Sequence, residues 1–354
     1  MKCPIFLLVP LLLLYSSCSQ VPRQVNDAYR DNKYREVIDE GNELLKKEPT
    51  NAELVHLMGR SYAMLGKYDS SLRFLDRAIS LDNHHMGWIT GWSYEYLGYD
   101  YYCKGELEKA EQNLQICIDM HKTNNSVRTA QHMMQIITLS RYFEKRPKIE
   151  TENIIYHFED TVGINAQEYV KTREAAYQYI NNKLPTTLPR KIDFYVWTDT
   201  NESYRLFSLP TRFSLPFVFV CNSSVKSNPG SEIALMLSYW CYGQPPEKQT
   251  RFIDEGIAAC FDGNNTKEKD SLFHEACGTL KNSNFHTVLD MWQYLGKYPS
   301  ELYPVAGGFV QFMLDHSSQQ QFEELIKNQT IDNAKSVYGA KFDPLIGEFN
   351  KMIL

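Results

Sequence analysis

A repeat of about 34 residues in the N-terminal part of the chain limits the available folds more than any other feature. The stretches "LGKYDSSLRFLDRAISLDN" and "LGYDYYCKGELEKAEQNLQICIDM" place glycine, aromatic and small residues in the same order. Small residues let one helix of such a unit lie close to the next, but a single helix pair cannot bury its apolar face. Successive units must therefore stack, and the sequence predicts an all-α solenoid over residues 25–145.

These positions resemble the tetratricopeptide repeat. One unit matches the repeat at Gly59, Tyr62, Tyr68, Leu75 and Ala78, and the next matches it at Leu97, Gly98, Tyr101, Gly105, Ala110, Leu114 and Cys117. An earlier, degenerate copy ends in "YREVIDEGNELLKKEPTN", with Pro49 where the repeat expects a proline. The resemblance implies a curved array whose concave surface binds a peptide or a partner protein.

The spacing lengthens between the second and third units, because the step from Gly59 to Gly98 is longer than the repeat. The additional residues lie in "NHHMGWITGWSYEY", where His84 and His85 are interpreted as a solvated turn rather than a metal pair. The aromatic residues of this stretch have two interpretations, an exposed ligand-binding surface or an enlarged core at a bend of the array. They are Trp88, Trp92, Tyr94 and Tyr96.

The first residues have the pattern of an export signal. Lys2 precedes an apolar run at residues 5–14, and a pair of small residues and Cys18 follow it. This run is too short to span a bilayer as a helix, so residues 1–18 are predicted to be a signal peptide. The cysteine after two small residues resembles a bacterial lipobox, which implies a lipidated Cys18 and anchoring as an outer-membrane lipoprotein. An ordinary signal peptide cleaved nearby is the alternative.

Composition narrows the class of protein further. The formal net charge is −6, and a protein that binds nucleic acid needs a basic surface to neutralise phosphates, so no nucleic-acid partner is expected. Hydrophobic residues make up 43% and charged residues 23% of the chain, as in globular proteins. The cysteines form no C-x-x-C pair, which argues against a zinc knuckle or a redox motif.

After the stretch "RPKIETEN", which is interpreted as a linker, the sequence pattern changes. "NIIYHFED" and "KIDFYVWTD" are predicted to be strands, and "AQEYVKTREAAYQYINNKL" between them is periodic as a helix is. "LPFVFVCN" is predicted to be a third strand, near a sheet edge because it contains Pro216. Helices are predicted at 231–242, around Glu255, and at 286–295, 304–316, Gln319–Lys327 and 343–352.

The order of these elements resembles the peptidase MA-like (gluzincin) domain, in which a small sheet precedes a helix with H-E-x-x-H and a second helix with a further glutamate. "FIDEGIAACF" matches the opening of that second helix, and Glu255 falls at the position of the third zinc ligand. "ELYPVAGGFVQFML" and "AKSVYGAKFDPLIGEFNKMI" resemble the segments that follow. The resemblance implies an α+β domain, a small sheet plus helices, over residues 150–354.

The first motif departs from the family. When Glu232 is aligned with the glutamate that acts as general base, Ser231 and Leu235 fall at the two histidine ligands. A serine is a poor zinc ligand and a leucine is none, so no zinc and no other cofactor is expected. Glu232 and Glu255 are interpreted as remnants, with Glu232 supplying a favourable negative charge at a helix N-terminus.

Two chemical alternatives stay open. A relocated metal site would take its ligands from neighbouring segments, among Cys241, Cys260, His274 and His286. Without a metal, Glu232 and Glu255 would act as a carboxylate pair in glycoside hydrolysis, where their separation decides the stereochemical outcome.

The sequence predicts an exported, lipid-anchored, multidomain protein with a tetratricopeptide solenoid followed by a degenerate gluzincin-like domain. Its predicted function is that of a non-catalytic binding or scaffold protein. It would contact a peptide or protein through the repeats and the membrane through its anchor. An active hydrolase or peptidase with rearranged ligands, and a structural subunit of a cell-envelope assembly, are the alternative functions.

Overall fold

The structure, a computed structural model, describes residues 21–82, 87–199, 201–263, 276–280, 283–296, 299 and 302–354. The predictions that concern Cys18, His84, His85 and His274 lie outside these residues. Among the described residues, no helix combines the length and the apolar character needed to cross a membrane.

The N-terminal region is helical, as predicted. Consecutive helices pack against each other along the chain, with α1 on α2, α3 on α4 and α5 on α6. The helices are α1 (Arg23–Arg30), α2 (Tyr34–Leu45), α3 (Ala52–Met64), α4 (Tyr68–Leu81), α5 (Trp88–Cys103), α6 (Leu107–Met120) and α7 (Asn124–Phe143).

Glycines set how closely the helices of a pair approach. A Cβ atom on Gly59 of α3 would lie 2.9 Å from a side-chain carbon of Leu75 in α4. A Cβ atom on Gly98 of α5 would lie 2.5 Å from a side-chain carbon of Leu114 in α6. Both leucines are fully buried. The same glycine–leucine contact therefore recurs in two successive helix pairs.

The turns between paired helices repeat as well. Asn32, Gly66 and Gly105 follow α1, α3 and α5, and their φ angles are 57°, 69° and 78°. After each of them, the next backbone amide donates a hydrogen bond of 2.9 Å to the carbonyl five residues before it. Left-handed residues in this position close the end of a helix, and glycine or asparagine adopts that conformation most readily.

We expect Gly98→Ala to lower the free energy of unfolding by about 1–2 kcal/mol, because the new methyl group overlaps Leu114. The matched control is Gly347→Ala, where an added Cβ meets nothing within 4 Å in the last helix of the chain. That change should raise stability by about 0.5–1 kcal/mol through helix propensity alone. Urea denaturation of both variants checks this, and equal stabilisation at the two sites would contradict the close approach.

A five-stranded mixed sheet follows the helical region, in the order β1-β2-β3-β5-β4. The three central strands are parallel, and the two outer strands are antiparallel to their neighbours. Every residue of β3 is buried, as expected for the central strand of a covered sheet. The strands are β1 (Lys148–Glu150), β2 (Ile154–Phe158), β3 (Ile192–Trp197), β4 (Phe213–Leu215) and β5 (Val220–Ser224).

Further helices surround and follow the sheet, so the coarse prediction of an α+β region is confirmed. They are α8 (Ala166–Lys183), α9 (Glu202–Phe207), α10 (Ser231–Trp240), α11 (Arg251–Cys260), α12 (Val288–Gln293), α13 (Tyr303–His316), α14 (Gln319–Lys327), α15 (Ile331–Tyr338) and α16 (Phe342–Ile353). The sequence did not predict α9 or α15.

One local prediction for the sheet is wrong, because the predicted linker contains β1, which pairs with β2. The strand predicted near a sheet edge is β5, which lies next to the edge strand β4 and pairs with β3 on its other side. Pro216 does not weaken β5, because it begins a short 3-10 helix, Pro216–Val218, before the strand starts. The strand itself therefore keeps all of its amide donors for the two neighbours.

The helical region and the sheet region share one hydrophobic core. The largest cluster of buried side chains extends from Ala63 in α3 to Ile353 in α16. Phe143 at the end of α7 lies with its ring centroid 5.0 Å from those of Tyr195 and Trp197 in β3. The boundary between the two regions thus lies inside one continuous cluster of buried side chains.

Helix α5 buries an ionisable group within this core. Glu95 is 4% exposed, and its Oε2 atom has no hydrogen-bond partner among the described residues. Burial raises the pKa of Glu95 to about 8 from a usual value of 4.5, and the positive charge of Arg60 only partly opposes that effect. The carboxyl group is therefore protonated in the folded protein at neutral pH.

A carboxyl group with a raised pKa stabilises the fold below its unfolded pKa, and that contribution is lost as pH rises through the folded pKa. We expect Glu95→Gln to match the wild type near pH 4.5 and to exceed its unfolding free energy by about 1–3 kcal/mol at pH 8. Denaturation curves between these pH values provide the measurement. Glu36→Gln, at an exposed position of α2, should show no such trend. A pH-independent difference for Glu95→Gln would contradict the buried, neutral carboxyl.

Candidate functional site

Helices α10 and α11 pack against each other and carry the residues that the sequence singles out. The side chain of Thr250 caps the start of α11 by accepting a hydrogen bond from the amide of Ile253. Gly256 lets α11 lie against α13, since a Cβ atom there would stand 2.6 Å from the carbonyl oxygen of Ala306. Gly256 in the "DEGIA" sequence therefore has a role in helix packing that does not depend on any binding or catalytic site.

One part of the predicted site is a buried ionic network at the start of α10. Ser231 and Glu232 are 7% and 3% exposed. The Nε atom of Arg212 donates to Oε1 of Glu232 at 2.9 Å, and the Ser231 hydroxyl donates to Oε2 at 2.9 Å. Arg212 also contacts Ser231 Oγ and forms an ion pair of 2.8 Å with Asp262 Oδ1. Arg212 thus lies between two carboxylates.

This network decides what Glu232 can do chemically. A general base must present an oxygen that a water molecule or a substrate can reach, and Glu232 is only 3% exposed. Both of its oxygens accept hydrogen bonds, and Ser223 adds a third donor at 3.4 Å. Charge-assisted hydrogen bonds to a carboxylate fix its orientation. Glu232 is held as an ion-pair partner of Arg212, in the first turn of α10.

We expect Arg212→Ala to lower the free energy of unfolding by about 1–3 kcal/mol, because it leaves Glu232 buried without its cation. The loss is below that of a fully buried pair, since the Arg212 side chain is 45% exposed. In a Glu232→Gln background the same substitution should cost less, which a double-mutant cycle by urea denaturation measures. Arg205→Ala, at an exposed ion pair, is the control and should change little. Equal losses in both backgrounds would argue against the pair.

The other part of the predicted site is a cleft of about 400 Å³ between α10, α11 and the segment that contains β4. Leu235 and Glu255 both line this cleft, whereas Glu232 does not. The two glutamates therefore do not both line this cleft, and a carboxylate pair for glycoside hydrolysis is not assembled in it. The lining residues are Ser214, Pro216, Phe217, Leu235, Ser238, Tyr239, Gln249, Asp254 and Glu255.

Asp254 is a site residue that sequence reasoning missed. Burial raises its pKa to about 6, and hydrogen bonds from Gln329 and Gln249 oppose the rise. The amide Nε2 atoms of these residues lie 2.9 Å and 3.2 Å from the Asp254 carboxylate oxygens. Gln329 is distant in sequence, so no local pattern indicates the contact. The one local indication in the sequence is that two acidic residues, Asp254 and Glu255, are adjacent.

Three of the candidate ligands of a relocated metal site, Cys241, Cys260 and His286, are among the described residues, and these three do not converge. Among the described residues, no group of three or more His, Cys, Asp and Glu side chains could hold a metal ion. His286 is exposed at the surface. The thiol of Cys241 donates to the carbonyl of Ser238, and that of Cys260 donates to Gln311 Oε1. These three residues are spread over separate contacts rather than gathered around one point.

The four aromatic residues of the predicted binding surface are all half-buried. Trp88 packs edge-on against His56, with ring centroids 5.6 Å apart. The rings of Trp92 and Tyr96 lie 4.9 Å and 4.6 Å from the guanidinium carbon of Arg60. Tyr94 packs against the shared core. Most of this aromatic area is used in intramolecular contacts, and a ligand-binding role for it stays a prediction.

Comparison with known proteins gives no relative to reason from. No protein-family model matches the chain, and no curated protein matches it at a significant level.

Proposed function

We propose that the chain is an exported, lipid-anchored, non-catalytic binding protein, in which a tetratricopeptide solenoid supports a degenerate gluzincin-like domain. The cleft between α10 and α11 binds a peptide. The observation that carries this proposal is the ion pair of 2.9 Å between Arg212 and Glu232, which occupies the residue at the general-base position.

The placement of Leu235 and Glu255 supports the gluzincin resemblance. In active members of that family, a histidine at the position of Leu235 and the glutamate at the position of Glu255 hold one zinc ion together. Here both positions line the same cleft, whereas the aligned Ser231 and Glu232 do not line it. With leucine at one and the serine at the other histidine position engaged by Arg212 and Glu232, the donor set for zinc is missing.

The cleft has the composition of a binding site. Its lining combines apolar side chains with a few polar groups, which is the usual make-up of sites that orient a ligand. Phe217 forms part of the wall and is fixed by the repeats, because its carbonyl accepts a hydrogen bond of 2.5 Å from the Tyr99 hydroxyl. The two rings also stack, with centroids 6.3 Å apart. The repeats therefore support the cleft directly.

The turn between α1 and α2 holds the far side of the cleft region. Asn32 donates to the carbonyl of Pro246 at 2.9 Å, and Asp31 forms an ion pair of 2.7 Å with Lys248. These contacts anchor the α10–α11 connection to the first helix pair. A partner protein bound by the repeats would use the surface of the repeats that these contacts leave uncovered. The acyl group on Cys18 would hold the protein at the outer membrane.

One experiment tests binding and catalysis together. A random peptide library is incubated with residues 19–354, with and without added zinc, and mass spectrometry identifies both retained and cleaved peptides. We expect retention by the wild type, loss of retention in Leu235→Trp, which fills the cleft, and no cleavage. Thermal unfolding verifies that the variant is folded. Cleavage that disappears in Glu232→Gln, or retention unaffected by Leu235→Trp, would contradict the proposal.

A further inference from the structure

The charges around the cleft are unbalanced. Two of the residues that line it are acidic, Asp254 and Glu255, and none of them is a lysine, an arginine or a histidine. The cation nearest to Glu255 is Arg251, one turn earlier on α11, with a distance of 3.4 Å between Nη2 and Oε1. Both side chains of that pair are about one-third exposed, and exposed pairs of this kind contribute little. A cation from a ligand can therefore compete for Glu255.

The carboxylate of Asp254 is oriented by a buried frame. Gln329 is 1% exposed, and its Oε1 atom accepts a hydrogen bond of 2.7 Å from the amide of Thr250. The indole of Trp292 donates to the Gln329 carbonyl at 2.8 Å. The amide group of Gln329 is thereby fixed and points its N–H at Asp254. Above pH 6 the Asp254 carboxylate is negatively charged, and the side chains that donate hydrogen bonds to it are neutral amides. Its negative charge therefore lies beside the cleft.

The remaining walls are apolar or aromatic. Leu235, Pro216 and Phe217 line the cleft beside the acids, together with the ring of Tyr239. Tyr239 is half-buried and packs edge-on against Trp240 at a centroid distance of 5.7 Å. Aromatic ring faces attract cations, and an apolar wall accepts an aliphatic chain. A long aliphatic stem that ends in a positive charge matches this combination.

We propose that the cleft binds a lysine or arginine side chain of a peptide, with its cationic end between Asp254 and Glu255 and its stem against Leu235 and Phe217. This inference rests on the proposed peptide-binding function and names the residue that the site selects. A divalent metal ion fits less well, because the described residues supply only two carboxylates here and no third His, Cys, Asp or Glu side chain. An apolar side chain alone would leave both acids without a cation.

The peptides retained from the library identify the preferred residue. The best retained sequence is then synthesised with a fluorescent label in two forms, one with its basic residue and one with norleucine or citrulline at that position. Fluorescence anisotropy gives the dissociation constant of each form for the wild type and for Glu255→Gln. Glu348→Gln, at an exposed site in α16, is the matched control for net charge.

We expect a lysine or arginine at a fixed position, about tenfold weaker binding of the neutral form, and a similar loss in Glu255→Gln. In Glu255→Gln the two forms should bind more nearly alike, while Glu348→Gln should behave as the wild type. Retained peptides without a basic residue, or equal losses in Glu255→Gln and Glu348→Gln, would overturn this inference and leave peptide binding standing. If the wild type retains no more peptide than the Leu235→Trp variant does, the proposed function is contradicted as well.

Discussion

The packing of α7 on the central strand β3 is the contact from which the rest of the C-terminal architecture is built. Phe143 and Tyr142 of α7 pack on Trp197 of β3, with centroid distances of 5.0 Å and 5.5 Å. The hydroxyls of Ser140 and Tyr195 add a hydrogen bond of 2.8 Å. Because β3 pairs directly with β5, this contact also places the strand that leads into α10. The N-terminal helices thus position the cleft through the sheet as well as through Phe217.

Arg212 determines how Glu232 is accommodated in the fold. Glu232 is 3% exposed, and an unpaired charge is costly in such a low-dielectric setting. The Arg212 guanidinium supplies the opposite charge at 2.9 Å. It also links the start of α10 to Asp262 after α11. One arginine therefore stabilises the buried carboxylate and holds two segments of the C-terminal region together.

Much of the fold could be predicted from periodicity, and much of the site could not. The helix pairs, two of the parallel strands and most of the late helices follow from local patterns that a single sequence contains. The first strand, β1, did not follow, because its three residues lie in a short polar stretch that is typical of a linker. Arg212 and Gln329 were missed for a different reason. Each meets its carboxylate partner, Glu232 or Asp254, only after the chain has folded back over a long distance.

The core that runs without a break from the N-terminal helices into the sheet limits how far the two regions can be separated. In a repeat array each unit contacts only its neighbours, so such an array can be stable by itself. In this chain α7 also supplies the side chains that cover Tyr195 and Trp197. A different array grafted at residue 145 would leave these aromatic rings exposed to water. The sheet region without α7 is therefore not an independent folding unit.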